Sequence, residues 1–408
     1  MICGLLGEKL SHSYSPQIHK FLGNYDYALF EKRPDQLDGF LQSNEFHGLN
    51  VTIPYKKAVI PYCRELSYEA QKIGAVNTLV RQKDGSLIGH NTDYFGFRSM
   101  ALRLGISYKG KKVLVLGSGG ASNTVQVVMA ELGAEVIVVS RNGENNYQNL
   151  SRHTDCAVIV NATPVGMYPN TGISPVDMDI FPKLEAVMDL IYNPSNTKLL
   201  LDAQHRNIRT ENGLWMLVAQ AKQSAEWFLD RKIDDCIIAK IYDSLKKEME
   251  NIVLIGMPGC GKSTVGKILA NMLHKSFVDA DAQIEEYAGT DIPNIFLTQQ
   301  ESGFRKIETH ILSELGKKSS QVIATGGGCV TIPENLPLLR QNGTIIWIKR
   351  DIVDLPTDGR PLSQNNDLQQ MYEIRRPMYS RFADLTVCNN STPEETAIKI
   401  LSLLEVSQ

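Results

Sequence analysis

The sequence predicts an α/β protein with two nucleotide-binding units, each built on a parallel sheet. Two stretches support this prediction. Residues 251–255 are an apolar run that leads into a glycine-rich loop, Gly-Lys-Ser-Thr and a helix with apolar residues at helical spacing. Residues 112–116 are a second apolar run, followed by another glycine-rich turn, an apolar helix and a strand at 135–139. Because a phosphate-binding loop normally follows the first strand of its own domain, the residues before 250 should fold separately.

The loop at residues 256–264 has the spacing of a phosphate-binding loop. Its glycines let successive backbone N–H groups converge on phosphates, Lys262 can reach the β- and γ-phosphates, and Ser263 can ligate Mg²⁺. A bare strand, turn and helix is the alternative, which the apolar pattern on both sides disfavours. Met257 and Cys260 are interpreted as filler. The predicted nucleotide-binding residues are Gly256, Met257, Pro258, Gly259, Cys260, Gly261, Lys262, Ser263 and Thr264.

Composition and charge exclude several classes of protein. With 408 residues, 43% hydrophobic and 21% charged, the chain can bury two or three ordinary globular cores. A net charge of −3 without Lys/Arg runs argues against a nucleic-acid partner. The seven scattered cysteines lack Cys-x-x-Cys pairs, so neither disulfides nor zinc is expected. No signal-peptide pattern or long apolar segment occurs, so we expect a soluble, cytoplasmic protein with small-molecule partners and no membrane contact.

Polar residues stand at turn-like positions in the first hundred residues. Ser13 and Ser15 precede a helix, Lys56 ends the stretch Asn-Val-Thr-Ile-Pro-Tyr-Lys, and Asn77 and Asp93 lie in two glycine-bounded stretches. Taken singly, such hydroxyls are more often helix caps or turn residues, and a lone Lys is usually solvated. In this order, however, the four stretches together resemble shikimate dehydrogenase.

That resemblance implies a catalytic pair, Lys56 and Asp93. A carbonyl that receives hydride develops negative charge on its oxygen, and an adjacent ammonium can stabilise this charge and supply the proton. The residues implied to hold the substrate are Ser13, Ser15, Thr52, Lys56, Asn77, Asp93, Tyr192 and Gln220.

The predicted cofactor is NADP(H). A nucleotide pyrophosphate would lie at the start of the helix after the turn at residues 117–121. Where NAD enzymes place an acid after the second strand, this chain has Arg141, which suits a 2′-phosphate. Only 20 residues separate Arg141 from Asn161, so the sheet edge should lack the additional helix and strand of many relatives. The cofactor residues predicted from the turn and the resemblance are Gly117, Ser118, Gly119, Gly120, Ala121, Ser140, Arg141, Asn161, Thr163 and Gly213.

The stretches after the phosphate-binding loop jointly resemble shikimate kinase, over about residues 250–408. Taken singly they could be a helix N-terminus, a glycine loop and a solvated turn. The resemblance implies that Asp279 orients Mg²⁺-bound water and that Asp281 receives the proton of the reacting hydroxyl. Lys262 and Arg360 would offset charge on the transferred phosphoryl group. The implied substrate residues are Asp281, Arg305, Gly326, Gly327, Gly328 and Arg375, with Arg376 as the alternative to Arg375.

Two differences from the kinase pattern stand out. Gln300 replaces the glycine usual before Glu301, a change that we interpret as minor. The segment 351–359 is shorter than the usual lid, and residues 352–358 contain no basic residue that could stack on adenine.

These resemblances predict a bifunctional enzyme of the shikimate pathway. The first half would reduce 3-dehydroshikimate with NADPH, and the second would phosphorylate the resulting shikimate with ATP and Mg²⁺. A quinate-preferring dehydrogenase and a catalytically dead, metabolite-sensing fusion are the alternatives. The predicted domains are a substrate domain, 1–98 plus 212–249, an NADP domain with a Rossmann-like fold, 99–211, and a P-loop kinase domain, 250–408.

Overall fold

A computed structural model describes residues 1–10, 13–355 and 368–406. The chain forms two compact units. The first comprises residues 1–166, 173–192 and 199–246, and the second comprises 167–172, 193–198 and 247–408. Within the described residues, helices alternate with strands of mainly parallel sheets, which confirms the predicted α/β class. The finer division into three domains stays a prediction. None of the described helices combines the length and apolar character needed to span a membrane.

The first sheet of unit 1 is mixed and has the order β2-β1-β3-β5-β6-β4. Its strands are β1 Ile2–Gly7, β2 Asp26–Glu31, β3 Gly48–Val51, β4 Cys63–Leu66, β5 Thr78–Arg81 and β6 Leu87–His90, and its helices are α1 Ser15–Leu22, α2 Leu37–Gln42 and α3 Tyr68–Ile73. Strands β3 and β5 are antiparallel, and Asn50 pairs with Thr78. This register places polar side chains of the two strands side by side in the interior.

The second sheet of unit 1 is parallel, in the order β11-β10-β9-β7-β8. Its strands are β7 Lys112–Leu116, β8 Glu135–Val139, β9 Val158–Asn161, β10 Ala186–Asp189 and β11 Arg209–Glu211, and the helices of this part of the chain are α4 Asp93–Arg103, α5 Gly120–Glu131, α6 Lys198–His205, α7 Leu214–Leu229 and α8 Cys236–Met249. Residues 141–157, all of which are described, contain only a short 3₁₀ turn at Leu150–His153. The expected shortened sheet edge beside β8 is therefore confirmed.

Arg103 joins three helices of unit 1. Its guanidinium lies 4.6 Å from the Trp215 ring centroid and 4.9 Å from that of Tyr242, and it forms an ion pair with the buried carboxylate of Glu211. Burial raises the pKa of Glu211, which the adjacent Arg103 opposes. Trp215 also donates from Nε1 to Ser99 Oγ at 2.9 Å. These contacts hold α4, α7 and α8 together.

Unit 2 is built on a parallel sheet with the order β13-β14-β12-β15-β16. Its strands are β12 Asn251–Ile255, β13 Ser276–Asp279, β14 Gln321–Ala324, β15 Gly343–Lys349 and β16 Leu385–Cys388, and its helices are α9 Lys262–Leu273, α10 Ala280–Ala288, α11 Ile292–Lys317, α12 Asn335–Arg340, α13 Leu368–Phe382 and α14 Pro393–Val406. The central strand β12 is buried along its whole length. The phosphate-binding loop follows its carboxyl end, where ligands bind in open α/β sheets.

Unit 2 also includes a short loop from earlier in the chain, residues 193–198. The Ser195 N–H donates to Asn342 Oδ1 at 2.8 Å, and the Asn196 N–H donates to the Gln341 carbonyl at 2.8 Å. The Asn342 amide in turn donates to the carbonyls of Gly316 and Lys317. Unit 2 is thus assembled from segments that are distant in sequence.

Helix α11 is interrupted at Gln300, which has φ 60° and ψ −178°. This region of backbone conformation is accessible almost only to glycine, because a Cβ atom clashes there with the backbone. The interpretation that Gln300 is a minor replacement for glycine is therefore wrong. The residue holds the kink in a strained conformation, immediately before Glu301.

We expect Gln300→Gly to raise the free energy of unfolding of unit 2 by about 1–2 kcal/mol, because glycine adopts this conformation without strain. Gln300→Ala is the matched control, since alanine also removes the long side chain but keeps the Cβ atom. The measurement is unfolding in urea. The transition of unit 2 is identified as the one whose urea midpoint is raised by ATP. Equal stabilities of the Gly and Ala variants would show that the kink is not strained.

Candidate active sites of the two units

Lys56 and Asp93 form a close ion pair in unit 1. Lys56 lies in the turn after β3 and Asp93 is the first residue of α4, and Lys56 Nζ lies 2.6 Å from Asp93 Oδ2. The side chain of Asp93 is 14% exposed and that of Lys56 31%. A carboxylate this close keeps the ammonium in place, yet both groups remain accessible to a small molecule. The pair can supply a proton and positive charge to a carbonyl oxygen.

Thr92 connects the other polar residues around this pair. Its backbone N–H donates to Asn77 Oδ1 at 2.7 Å, and its hydroxyl lies 3.4 Å from Gln220 Oε1. Because Asp93 is the next residue, Asn77, Asp93 and Gln220 converge on one place. The structure therefore brings together side chains that are as much as 143 residues apart, from Asn77 to Gln220.

The two serines lie in a turn at the start of α1. Ser13 Oγ accepts from the Ser15 N–H at 3.2 Å. Between them, the Tyr14 ring contacts the Tyr192 ring edge to face, with the centroids 6.2 Å apart. Burial raises the pKa of Tyr192. Thr52 directly follows β3, and its N–H donates to the carbonyl of Leu6 on the adjacent strand.

The glycine-rich turn after β7 has the geometry of a dinucleotide site. Gly117 has φ 104°, and a Cβ atom there would lie 2.9 Å from Thr163 Cγ2. Helix α5 begins at Gly120, and Ser118, Gly119, Gly120 and Ala121 are at least partly exposed, so N–H groups at this helix N-terminus can face a pyrophosphate. Asn161 holds Thr163 by accepting from its hydroxyl at 2.6 Å.

Arg141 and Gly213, both predicted to bind the cofactor, differ in their surroundings. Gly117 donates its N–H to the Val139 carbonyl, so Ser140 and the exposed Arg141 follow at the same edge of the sheet as the turn. Gly213 is buried, and a Cβ atom there would lie 2.0 Å from the Leu190 carbonyl oxygen. Close backbone packing alone is therefore sufficient reason for a glycine at 213.

The phosphate-binding loop lines a cavity of about 520 Å³ in unit 2. Lys262 Nζ donates to the carbonyls of Gly256 and Met257 at 3.0 and 3.1 Å, and Ser263 Oγ donates to Asp279 Oδ2 at 2.6 Å. The side chains of Met257 and Cys260 belong to the hydrophobic core, as the interpretation of filler expected. These two residues can contribute only backbone groups to a nucleotide.

Asp281 lies in the same cavity, beside Gly326 and Glu308. Burial raises the pKa of Asp281, and the charge of Lys262 opposes that shift. A carboxylate with a raised pKa is a stronger base. A Cβ atom at Gly326 would lie 2.8 Å from Asp281 Oδ1 and 2.7 Å from Glu308 Oε1. Glycine is needed at 326 because the two carboxylates occupy that space.

Arg305 is held by two carboxylates. Its Nη1 donates to Glu308 Oε2 at 2.7 Å and its Nη2 donates to Glu301 Oε1 at 3.0 Å. A Cβ atom at Gly328 would lie 2.1 Å from Arg305 Nη2, so only glycine leaves room for the guanidinium. Glu308 is fully buried, and burial raises its pKa, which Arg305 opposes.

Arg375 extends from α13 to the glycine loop. Its Nη1 donates to the Gly327 carbonyl at 3.3 Å, and the Tyr379 hydroxyl donates to the same oxygen at 2.5 Å. Arg375 is buried and lines the cavity, whereas Arg376 is exposed. These contacts favour Arg375 over the alternative Arg376.

Comparison with known proteins agrees with this geometry. A shikimate dehydrogenase (NADP⁺) from Clostridium perfringens is 36% identical over 265 residues, which are 60% of this chain and 97% of that protein. The chain belongs to the shikimate dehydrogenase family. The model of the shikimate dehydrogenase substrate binding domain matches residues 5–79, and the shikimate kinase model matches residues 258–405.

Solved structures give the same assignment for the first unit. A chorismate mutase/shikimate 5-dehydrogenase fusion protein from Clostridium acetobutylicum is 40% identical with a TM-score of 0.57, covering 60% of this chain and 97% of that one. Shikimate 5-dehydrogenase from Thermus thermophilus, in complex with NADP(H) and shikimate, is 31% identical with a TM-score of 0.55, covering 60% and 99%. With its kinase domain, this chain is a bifunctional enzyme of the shikimate pathway, an NADP-dependent oxidoreductase joined to a kinase.

The sequence did not identify every residue of these sites. Glu308 stands three residues after Arg305 on one helix, a spacing that indicates a side-chain pair and could have revealed it. Arg350 also lines the kinase cavity, just before the segment in which no basic residue was found. Asn50 opens the stretch that ends at Lys56 but was given no role, and Ser224, which contacts it, carries no local signal. The predicted Arg360 lies outside the described residues.

The two adjacent arginines of the kinase domain allow a matched test. We expect Arg375→Ala to raise the KM for shikimate in the kinase reaction at least about 10-fold, because a charged hydrogen bond contributes ~1.5–3 kcal/mol. Arg376→Ala should leave that KM unchanged, since its side chain faces solvent. Initial rates with purified variants measure both, and equal effects would reject Arg375 as the specific contact.

Proposed function

We propose that the first unit reduces 3-dehydroshikimate to shikimate with NADPH and that the second phosphorylates shikimate to shikimate 3-phosphate with ATP. The observation that carries the proposal is the pairing of Lys56 with Asp93 next to Thr92, which contacts both Asn77 and Gln220. The proposed domains are 1–98 plus 212–249 for substrate, 99–211 for NADP, and 250–408 for the kinase.

In the dehydrogenase, NADPH supplies the hydride when it is bound at the turn 117–121. The Lys56 ammonium stabilises the negative charge that develops on the substrate oxygen and donates a proton to it. Asp93 holds Lys56 in position at 2.6 Å. The amides of Asn77 and Gln220 and the hydroxyls of the serine turn would hold the substrate hydroxyls and carboxylate.

In the kinase, Asp281 takes the proton of the attacking hydroxyl, and its raised pKa suits it to this role. Arg305 and Arg375 orient the substrate, because guanidinium groups match carboxylates bidentately. Lys262, together with Arg360, offsets charge on the transferred phosphoryl group, which is the main contribution of a protein in such chemistry.

Mg²⁺ fits the oxygen atoms at the start of α9. Ser263 Oγ and Asp279 Oδ2 are 2.6 Å apart beside Lys262, and oxygen is the ligand that Mg²⁺ prefers. We propose that Ser263 and Asp279 hold the ion, Asp279 through a water molecule, and that the ion supplies positive charge next to the phosphates.

A coupled assay tests the proposed function. Purified protein is mixed with 3-dehydroshikimate, NADPH and Mg-ATP, and both NADPH loss and ADP formation are followed. We expect ADP formation to require NADPH and to lag behind NADPH loss, because the dehydrogenase must first make the shikimate that the kinase uses. A faster reaction with quinate than with shikimate in the oxidative direction would favour the quinate-preferring dehydrogenase, and neither activity would favour the metabolite-sensing fusion.

The two activities should be separable by single substitutions. Lys56→Ala should lower dehydrogenase turnover ~10²–10⁴-fold, as loss of general acid–base catalysis does, and leave the kinase unchanged on added shikimate. Asp281→Asn should silence only the kinase. The activity that each variant retains measures the amount of protein in the assay, and loss of both activities in one folded variant would contradict the assignment.

Arg141 should select the cofactor. Its guanidinium can bind a 2′-phosphate bidentately, and a charge-assisted hydrogen bond contributes ~1.5–3 kcal/mol, or a preference for NADPH of roughly 10- to 150-fold. Arg141→Ala should raise the KM for NADPH strongly and change the KM for NADH and kcat little. If NADH serves wild type as well as NADPH does, or if both cofactors are affected equally, Arg141 has no role in cofactor choice.

A further inference from the structure

Three buried hydroxyls lie behind the dehydrogenase site. Ser224, on α7, is fully buried, and its Oγ lies 2.9 Å from Thr78 Oγ1 and 2.9 Å from Thr92 Oγ1. The two threonine hydroxyls are 3.2 Å apart. We call Thr78, Thr92 and Ser224 the hydroxyl triad. It joins the start of β5, directly after Asn77, to the start of α4 before Asp93 and to α7, which carries Gln220.

A chain of hydrogen bonds from Tyr27 through Asn50 ends at Ser224. The Tyr27 hydroxyl donates to Asn50 Oδ1 at 2.8 Å, and the Asn50 amide N–H donates to Ser224 Oγ at 2.7 Å. In this orientation Oδ1 of Asn50 faces Tyr27 and its Nδ2 faces the triad, where Nδ2 also donates to Thr78 Oγ1 at 3.3 Å. Ser224 therefore accepts from Asn50, and its own proton is directed to Thr78, Thr92 or the Gln220 carbonyl, which lies at 3.0 Å.

On its other side the triad contacts Asn77 and Gln220. Asn77 Oδ1 lies 3.2 Å from the hydroxyls of both Thr78 and Thr92, in addition to the Thr92 N–H. Asn77 Oδ1 is therefore surrounded by protein donors. Among the described residues Asn77 Nδ2 has no hydrogen-bond acceptor, so the amide can turn its donors to a ligand.

We propose that Ser224 is a positioning residue of the dehydrogenase, which acts through the hydroxyl triad to hold the Asn77 amide with its N–H donors toward the substrate. This inference rests on the proposed function, because it assumes that Asn77 binds the substrate. Ser224 itself does not touch substrate. Its loss leaves an Asn50 N–H without its closest acceptor, and the threonine hydroxyls can then rotate to satisfy it, which leaves Asn77 Oδ1 held only by the Thr92 N–H.

The test compares Ser224→Ala with Ser99→Ala. Ser99 accepts from Trp215 Nε1 at 2.9 Å, outside the triad, so it controls for loss of a hydroxyl. We expect Ser224→Ala to raise the KM for 3-dehydroshikimate about 10-fold, with kcat changed less than about threefold and the KM for NADPH unchanged. Kinase turnover of the same preparation normalises the total amount of protein, and the near-UV circular dichroism of each variant checks that the first unit is folded.

Substrate analogues separate positioning from general damage. The rates at which wild type and Ser224→Ala oxidise shikimate analogues are compared, and each analogue lacks one of the ring hydroxyls that are not oxidised in the reaction. If Asn77 binds one hydroxyl, the penalty of the substitution should disappear for the analogue that lacks it and persist for the others. A penalty of the same size on every analogue, or an unchanged KM with only lower thermal stability, would overturn the proposal.

A second variant keeps the test decisive if Ser224→Ala does not fold. Thr78→Val preserves side-chain shape and removes another hydroxyl of the triad, so it should show the same KM increase and analogue pattern. An unchanged KM in that variant would overturn the proposal. If wild type does not reduce 3-dehydroshikimate at all, the proposed function fails instead, and that outcome is seen before any variant is compared.

Discussion

Both active sites depend on charged side chains that lie beside a partner of opposite charge, partly buried in the dehydrogenase and buried in the kinase. An unpaired buried charge is destabilising by several kcal/mol, so the fold must supply each partner. Lys56 has Asp93 in the dehydrogenase, and Arg305 has Glu308 and Glu301 in the kinase. The partner also restricts the position of the charge that is to meet the substrate. Stability and catalytic geometry therefore have the same origin in these two sites.

Glycines in the kinase satisfy a second constraint, which is space. Gly326 and Gly328 lie where a Cβ atom would meet Asp281, Glu308 or the guanidinium of Arg305. The glycine loop after β14 thus allows charged side chains from two helices to reach one cavity. In the dehydrogenase the interior between β3, β5 and α7 contains hydroxyl and amide groups instead of charged groups. These groups form hydrogen bonds with one another.

The parallel sheets and the mixed sheet position their binding groups in different ways. The NADP part and the kinase both place a glycine-rich turn after a buried parallel strand, at the N-terminus of a helix, where N–H groups are available for phosphates. The substrate part uses a mixed sheet, whose antiparallel pair places Asn50 against Thr78 in the interior. Backbone N–H groups are thus presented at both glycine-rich turns, whereas the interior of the substrate part is lined by polar side chains.

The sequence by itself determined the α/β class and both glycine-rich turns, because each turn is a short contiguous motif whose spacing is set by local backbone geometry. It also supplied the proposed catalytic residues Lys56, Asp93, Lys262 and Asp281, the phosphate-loop lysine from its motif and the others from resemblance to known families. Only the tertiary structure showed the features that depend on contacts between distant segments of the chain. The choice of Arg375 over Arg376 follows from which side of α13 faces the cavity, and the role of Glu308 follows from its burial against Arg305. The hydroxyl triad joins residues up to 146 positions apart, and the strain at Gln300 is a backbone angle. Such long-range contacts and dihedral angles leave no periodic signal in the chain, so only the folded structure reveals them.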